Sequence, residues 1–176
     1  SSFLEGKVNR LFGRVTNVTA GTLTQGASAD YTSGSYAHFS GVSTSATSVV
    51  EGQIRVPAIE SQRYANRQVT FSCLVYQDTG SSKDYTVTIK KADVSDVFSA
   101  LTTIQAGTAT AVATGTNTRL TLTVSDMGAC ETGIAIEISA AVTGAITTKN
   151  FRISEAQLET GGTRSGFSSL PAEVVE

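Results

Sequence analysis

The residues able to do chemistry in this chain are few and scattered. His38 is the single histidine, and a serine triad needs such a base between a hydroxyl and a carboxylate. No Gly-x-Ser-x-Gly turn occurs to raise a nucleophile; a lone histidine in a strand reads as a structural or surface residue. Carboxylates stand at Glu51, Glu60, Asp78, Asp84, Asp93, Asp96, Glu137, Glu155 and Glu159. Glycoside hydrolysis needs two of them a set distance apart. Spacing along the chain pairs none, and most read as solvated surface groups. One histidine with Cys73 and Cys130 makes no zinc set. Asp78 and Asp84, and Asp93 and Asp96, lack the spacing of a calcium loop, and Asp93 reads as a helix cap. No catalytic residue, metal or cofactor is expected, and the chain is not expected to be an enzyme.

Binding asks for less. A sugar needs an aromatic platform and a few hydrogen-bonding side chains. There is no Trp, and the five tyrosines are Tyr31, Tyr36, Tyr64, Tyr76 and Tyr85. Two groups near strand ends or loops are candidates for glycan contact: Gln62, Arg63 and Tyr64, and Tyr76 with Asp78. Packing inside a β-sandwich accounts for each tyrosine equally well.

Composition narrows the field. The 176 residues suit one domain. No apolar run reaches the roughly 20 residues that span a bilayer, and no basic, apolar leader is visible, so neither membrane insertion nor a secretory signal is expected. Charged residues make up 16%, against roughly 25% in ordinary domains, so Ser and Thr hydroxyls must cover much of the surface. The net charge of −2 offers no field to draw in nucleic acid. Two cysteines make no disulfide framework, and both read as free thiols.

The elements that must carry these residues are mostly strands. Residues 68–76 place Val69, Phe71, Cys73 and Val75 on one face. Residues 84–91 do the same with Tyr85, Val87 and Ile89, and the two segments read as a hairpin with a long loop. Residues 48–56 alternate Val50, Gly52, Ile54 and Val56 against Glu51, Gln53 and Arg55. Further strands are expected over 13–18, 35–41, 103–113, 116–125, 134–139 and 145–159. In the last, Phe151, Ile153 and Glu155 share a face. Residues 19–35 read as a long surface loop, and 58–66 as a connection holding one helical turn. Val94, Val97, Phe98 and Leu101 have helical spacing and predict a short helix over 92–101. Residues 1–12 form an arm, with helical spacing at Leu4, Val8 and Leu11; it docks on a neighbour or a preceding domain, or is a frayed terminus. The remainder, 13–176, is expected to be one antiparallel β-sandwich with a short helix and an extended C-terminal tail.

Two stretches carry a resemblance. Gln157-Leu158-Glu159-Thr160-Gly161 followed by Phe167 resembles the closing strand of jelly-roll modules in bacteriophage tail fibres and tailspikes. Val69-Thr70-Phe71-Ser72 is similar to their mid-domain strand. The resemblance implies a jelly-roll, carbohydrate-binding-like module at the distal end of a fibre or spike, a homotrimer that contacts host-surface glycan. The implied partners are further copies of the chain, other virion proteins and host cell-surface polysaccharide, with assembly in the bacterial cytoplasm. The alternative is a capsid-decorating or head-fibre protein without glycan binding. A glycan lyase or deacetylase domain is disfavoured by the missing catalytic sets.

Overall fold

The computed structural model describes residues 3–8 and 10–167. The strands are β1 (Phe3–Val8), β2 (Leu11–Thr16), β3 (Val18–Ala27), β4 (Ser35–Thr44), β5 (Ser48–Val56), β6 (Val69–Gln77), β7 (Lys83–Val94), β8 (Val97–Ala106), β9 (Thr110–Val112), β10 (Thr118–Val124), β11 (Ile134–Val142) and β12 (Ile146–Thr160). A single short helix, α1 (Ala58–Ser61), runs into a 3-10 turn at Gln62–Tyr64. One sheet has the order β1-β2-β5-β11-β7-β8, with β9 beside β7; the other has the order β10-β6-β12-β4-β3. Every pairing is antiparallel. This is the antiparallel β-sandwich expected from the alternation, of the jelly-roll type that the resemblance implies.

The alternating apolar residues form the layer between the sheets. Val69, Phe71, Cys73 and Val75 of β6 meet Ile134, Ile136 and Ile138 of β11 and Phe39, Phe151 and Leu120 in one cluster. Gly13 of β2 lies opposite Gly52 of β5, and both face residues of the other sheet at close range. A Cβ on Gly13 would sit 2.6 Å from the Phe39 ring, and one on Gly52 would sit 2.4 Å from Ile153 Cδ1. Glycine is there because no side chain fits beneath those neighbours. Both cysteines are free and buried; burial pushes the Cys73 thiol up to about 12, so it behaves as a small core hydrophobe.

Several expectations are corrected. The helix over 92–101 is the turn and second strand of a β-hairpin, β7 to β8, with Val94 opposite Val97. Periodicity fits either form over so short a run, and β-branched residues together with the left-handed Asp96 (φ 59°) decide for the hairpin. Asp93 caps no helix; its Oδ1 accepts from the Thr102 hydroxyl at 2.6 Å. Asp96 instead accepts from the Ala58 amide of α1 at 2.7 Å, so the helical turn falls within 58–66. The surface loop over 19–35 is mostly strand β3, and only 28–34 is loop. Polar on both faces and at the sheet edge, β3 shows no alternation to read. The segments 68–76 and 84–91 are not a hairpin, for β6 and β7 lie in different sheets. Buried Gln77 makes that corner: its amide donates to the Ser81 and Val112 carbonyls. Helical spacing near the N-terminus gives way to β1, laid along β2 from Phe3↔Thr16 to Val8↔Leu11. The expected tail from Leu170 onward lies outside the described residues.

Candidate functional site

Outward-facing residues of the seven-stranded sheet meet in rows because its four central strands are in register. One row is Arg14, Glu51, Ser139 and Thr86; the next is Phe12, Gln53, Glu137 and Thr88; a third holds Arg55, Ala135, Lys90 and Thr103. Period-two alternation puts these side chains on the face away from the core. The β7–β8 hairpin adds Phe98, Ser99 and Leu101 along one margin. With Phe12, Arg14, Glu51, Gln53, Arg55, Lys90 and Glu137 these line a groove of about 780 Å³.

The floor is a hydrogen-bonded lattice. Arg14 donates to Glu51 Oε1 at 2.8 Å, and the Ser139 hydroxyl reaches Glu51 Oε2 at 3.4 Å. Gln53 donates to Glu137 Oε1 at 3.2 Å, Lys90 Nζ pairs with Glu137 Oε2 at 2.7 Å, and Arg55 Nε donates to Gln53 Oε1 at 2.6 Å. The Arg55 guanidinium lies 3.8 Å from the Phe12 ring centroid and 5.2 Å from that of Phe98, so rings hold its plane while its fork stays available. Burial lowers the Arg55 pKa. Burial also raises the Glu51 carboxyl, with Glu137 adding to it and Arg14 and Ser139 opposing. Planar donors and acceptors bounded by two aromatic rings can grip a polyhydroxylated chain.

Most carboxylates are expected to be solvated, yet three are buried: Glu51 and Glu137 are each 9% exposed and Glu155 is 6% exposed. The first two lie in the groove. Glu155, expected to share a face with Phe151 and Ile153, sits at a bulge in β12 with φ 49°. There it pairs with Arg119 and accepts from the Thr32 amide at 2.7 Å. Among the described residues no group of three His, Cys, Asp or Glu side chains could hold a metal ion, and no helix is long and apolar enough to cross a membrane.

The sequence-expected glycan contacts fall at two other places. Gln62 and Arg63 are exposed on the 3-10 turn. Tyr64 beside them is buried, with Arg63 over its ring and its hydroxyl donating to the Leu158 carbonyl at 3.2 Å. Tyr76 and Asp78 lie at the far end of β6, about 25 Å away by strand rise, on the outer face of the five-stranded sheet. Tyr76 stacks on Arg152, and both Asp78 oxygens hold Asn150. None of the five lines the groove. Its residues Phe12, Arg14, Gln53, Arg55, Lys90 and Phe98 were not singled out by sequence. The outward set Glu51, Gln53 and Arg55 was the available signal, but only pairing with β2, β11 and β7 assembles the rest.

No family model matches the chain, and no curated protein matches it. Solved structures do resemble it. A carbohydrate-binding module of the β-sandwich superfamily, studied for promiscuous specificity, aligns with TM-score 0.62 at 12% identity, over 87% of this chain and 58% of that one. A xylan-binding domain of carbohydrate-binding module family 22 aligns with TM-score 0.58 at 15% identity, over 91% and 92%. The enzymatically active domain of bacteriophage CBA120 tailspike protein 4 aligns with TM-score 0.55 at 10% identity, over 88% of this chain and 20% of that one. The chain thus spans a little over half of the first of these and a fifth of the tailspike. The fold is that of β-sandwich carbohydrate-binding modules.

Proposed function

We propose that this chain is a non-catalytic glycan-binding module that lays a polysaccharide along the groove of its seven-stranded sheet. The observation that carries this reading is the register-built floor: Arg14, Glu51, Gln53, Arg55, Glu137 and Lys90 present fixed donors and acceptors, with Phe12 and Phe98 packed about Arg55. Such a surface suits sugar hydroxyls, which need many directional hydrogen bonds and little apolar area. The fold shared with carbohydrate-binding modules supports it. The tyrosine groups expected from sequence lie outside the groove.

Gel electrophoresis with soluble polysaccharide cast into the matrix tests this, using xylan and bacterial surface polysaccharides as probes. At least one should retard the wild-type chain. Arg55→Ala and Gln53→Ala, checked for unchanged melting, should each weaken that retardation about tenfold, the loss of one or two charge-assisted or bridging bonds. Unaltered retardation of both variants, or shortening of the polymer by the chain, would refute a purely binding groove.

We further propose that the module acts in a virion, as the attachment domain of a tail fibre or tailspike that meets host-surface polysaccharide as a homotrimer. The closing-strand resemblance and the hydroxyl-rich, weakly charged composition support this. Light scattering of the chain should give three times its monomer mass; a monomer at micromolar concentration would sink the trimeric reading.

A further inference from the structure

The opposite face carries a second cluster that the groove does not explain. Across the five-stranded sheet, Thr24, His38, Arg152 and Tyr76 stand in one row. In the adjacent row Gly26 lies opposite Tyr36, and its missing side chain makes room for the Tyr36 ring. The Arg152 guanidinium is clamped between two rings, 4.7 Å from the centroid of Tyr36 and 4.7 Å from that of Tyr76. Tyr31, from the 28–34 loop, closes against Tyr36 with ring centroids 5.2 Å apart, and His38 meets Tyr36 edge-on at 5.4 Å. Tyr31 is anchored by its hydroxyl, which donates to Asn117 at 3.1 Å.

Arg152 is one of several cations without an ion pair among the described residues, and is set apart by packing against two tyrosine rings. Arg10, Arg14, Lys90 and Arg119 each meet a carboxylate; Arg152 meets none among the described residues. The nearby acids are already committed. Asp78 accepts two bonds from Asn150, Glu155 pairs with Arg119, and Asp30 accepts from the Ser28 hydroxyl. Arg152 Nε is buried without a hydrogen-bond partner, and the guanidinium bonds the Tyr31 hydroxyl, so the outer Nη groups are the ones a ligand could meet. Burial works against the Arg152 charge, but the Tyr31, Tyr36 and Tyr76 hydroxyls outweigh it and raise its pKa. The groove uses the same device, an arginine held between two rings and facing no carboxylate, in Arg55.

We propose that this face is a second sugar site, at which Arg152 receives the carboxylate of an acidic sugar residue such as a uronate. A guanidinium packed against two rings can offer its outer N–H groups to a planar carboxylate, which accepts two parallel bonds. The tyrosine ring edges and His38 supply the surface beside it for the sugar ring. Neutral polysaccharide in the groove and a uronate here would be bound independently, so this site stands whether or not the groove reading holds.

Two measurements on the full chain test it, with polygalacturonate as the probe. The chain has no Trp, and three of its five tyrosines, Tyr31, Tyr36 and Tyr76, lie in this cluster while none lines the groove. Polygalacturonate should therefore change tyrosine emission, and xylan should not. Calorimetric titration should then show Arg152→Gln losing at least about tenfold in uronate affinity, and Arg152→Lys losing several-fold because it keeps charge but not the fork. Arg152→Gln should leave xylan retardation unchanged. If Arg152→Gln does not fold, Tyr76→Leu should weaken uronate binding in its place. The proposal is overturned by absent uronate binding, by undiminished binding in the Arg152 variants, or by equal binding of dextran sulfate, which would mean that the face reads charge alone.

Discussion

Glu51 and Glu155 are both buried carboxylates, yet their surroundings push them in opposite directions. Burial works against the Glu155 charge, but Arg119 and the Thr32 amide outweigh it and hold the carboxyl below its ordinary 4.5. A carboxyl held low in the fold stabilises the folded chain above pH 4.5, and that contribution drains away as pH falls through its folded value. Glu155→Gln should therefore cost about 1–2 kcal/mol at pH 7, with the gap closing in acid. Glu51 is held above 4.5, first by burial and then by Glu137. Its contribution is fully present below pH 4.5 and is lost as pH rises through its folded value. Glu51→Gln should gain on the wild type as pH rises from about 4 to 7. Urea melts across that range decide it, and the same slope for both variants would show the assignment to be mistaken.

Among the elements, β2 and β5 are constrained where they face the other sheet. Their facing glycines let one sheet settle on Phe39 and Ile153, and the same strands carry Phe12, Arg14, Gln53 and Arg55 outward. Gly13→Ala would drive a methyl into the Phe39 ring, which is 1% exposed and has nowhere to turn. Overpacking of this kind costs about 1–3 kcal/mol. Gly52→Ala meets only the Cδ1 end of Ile153, which can swing aside, so it should cost less. Denaturant midpoints in the reverse order would argue against the packing described. The β7–β8 hairpin shows the complementary point. Val94, Val97, Phe98 and Leu101 fit helical spacing as well as strand pairing, and Thr88↔Ala106 through Val94↔Val97 pairing with a sheet already present settles the matter.

At the scale of the molecule, one apolar layer serves both faces. Phe71 is 1% exposed at its centre, and Phe71→Ala should cost about 3–5 kcal/mol, a large share of the roughly 5–15 kcal/mol that holds a domain together. Because the sheets share that layer, unfolding should be a single transition in circular dichroism and tyrosine emission alike. Two separated transitions would mean that the sheets stand alone. The groove on one side and the Arg152 cluster on the other would let one module contact two stretches of polysaccharide, or a polymer and an acidic branch.

The amino-acid order alone determined the class of fold. Period-two runs such as Val69-Phe71-Cys73-Val75, Leu120-Leu122-Val124 and Ile134-Ile136-Ile138 bury one face of a strand wherever it lies, because side-chain direction is set by the backbone. It also marked Glu51, Gln53 and Arg55 as outward on β5, and Tyr76 and Asp78 as lying near a strand end. The partners of those residues were settled only in three dimensions. Phe12, Glu137 and Lys90 lie 41, 84 and 37 residues along the chain from Gln53, and Arg152 reaches Tyr36 and Tyr76 only through pairing of β12 with β4 and β6. Local periodicity reports which way a side chain points. Which side chains meet depends on strand order and register, and these follow from how the whole apolar layer packs.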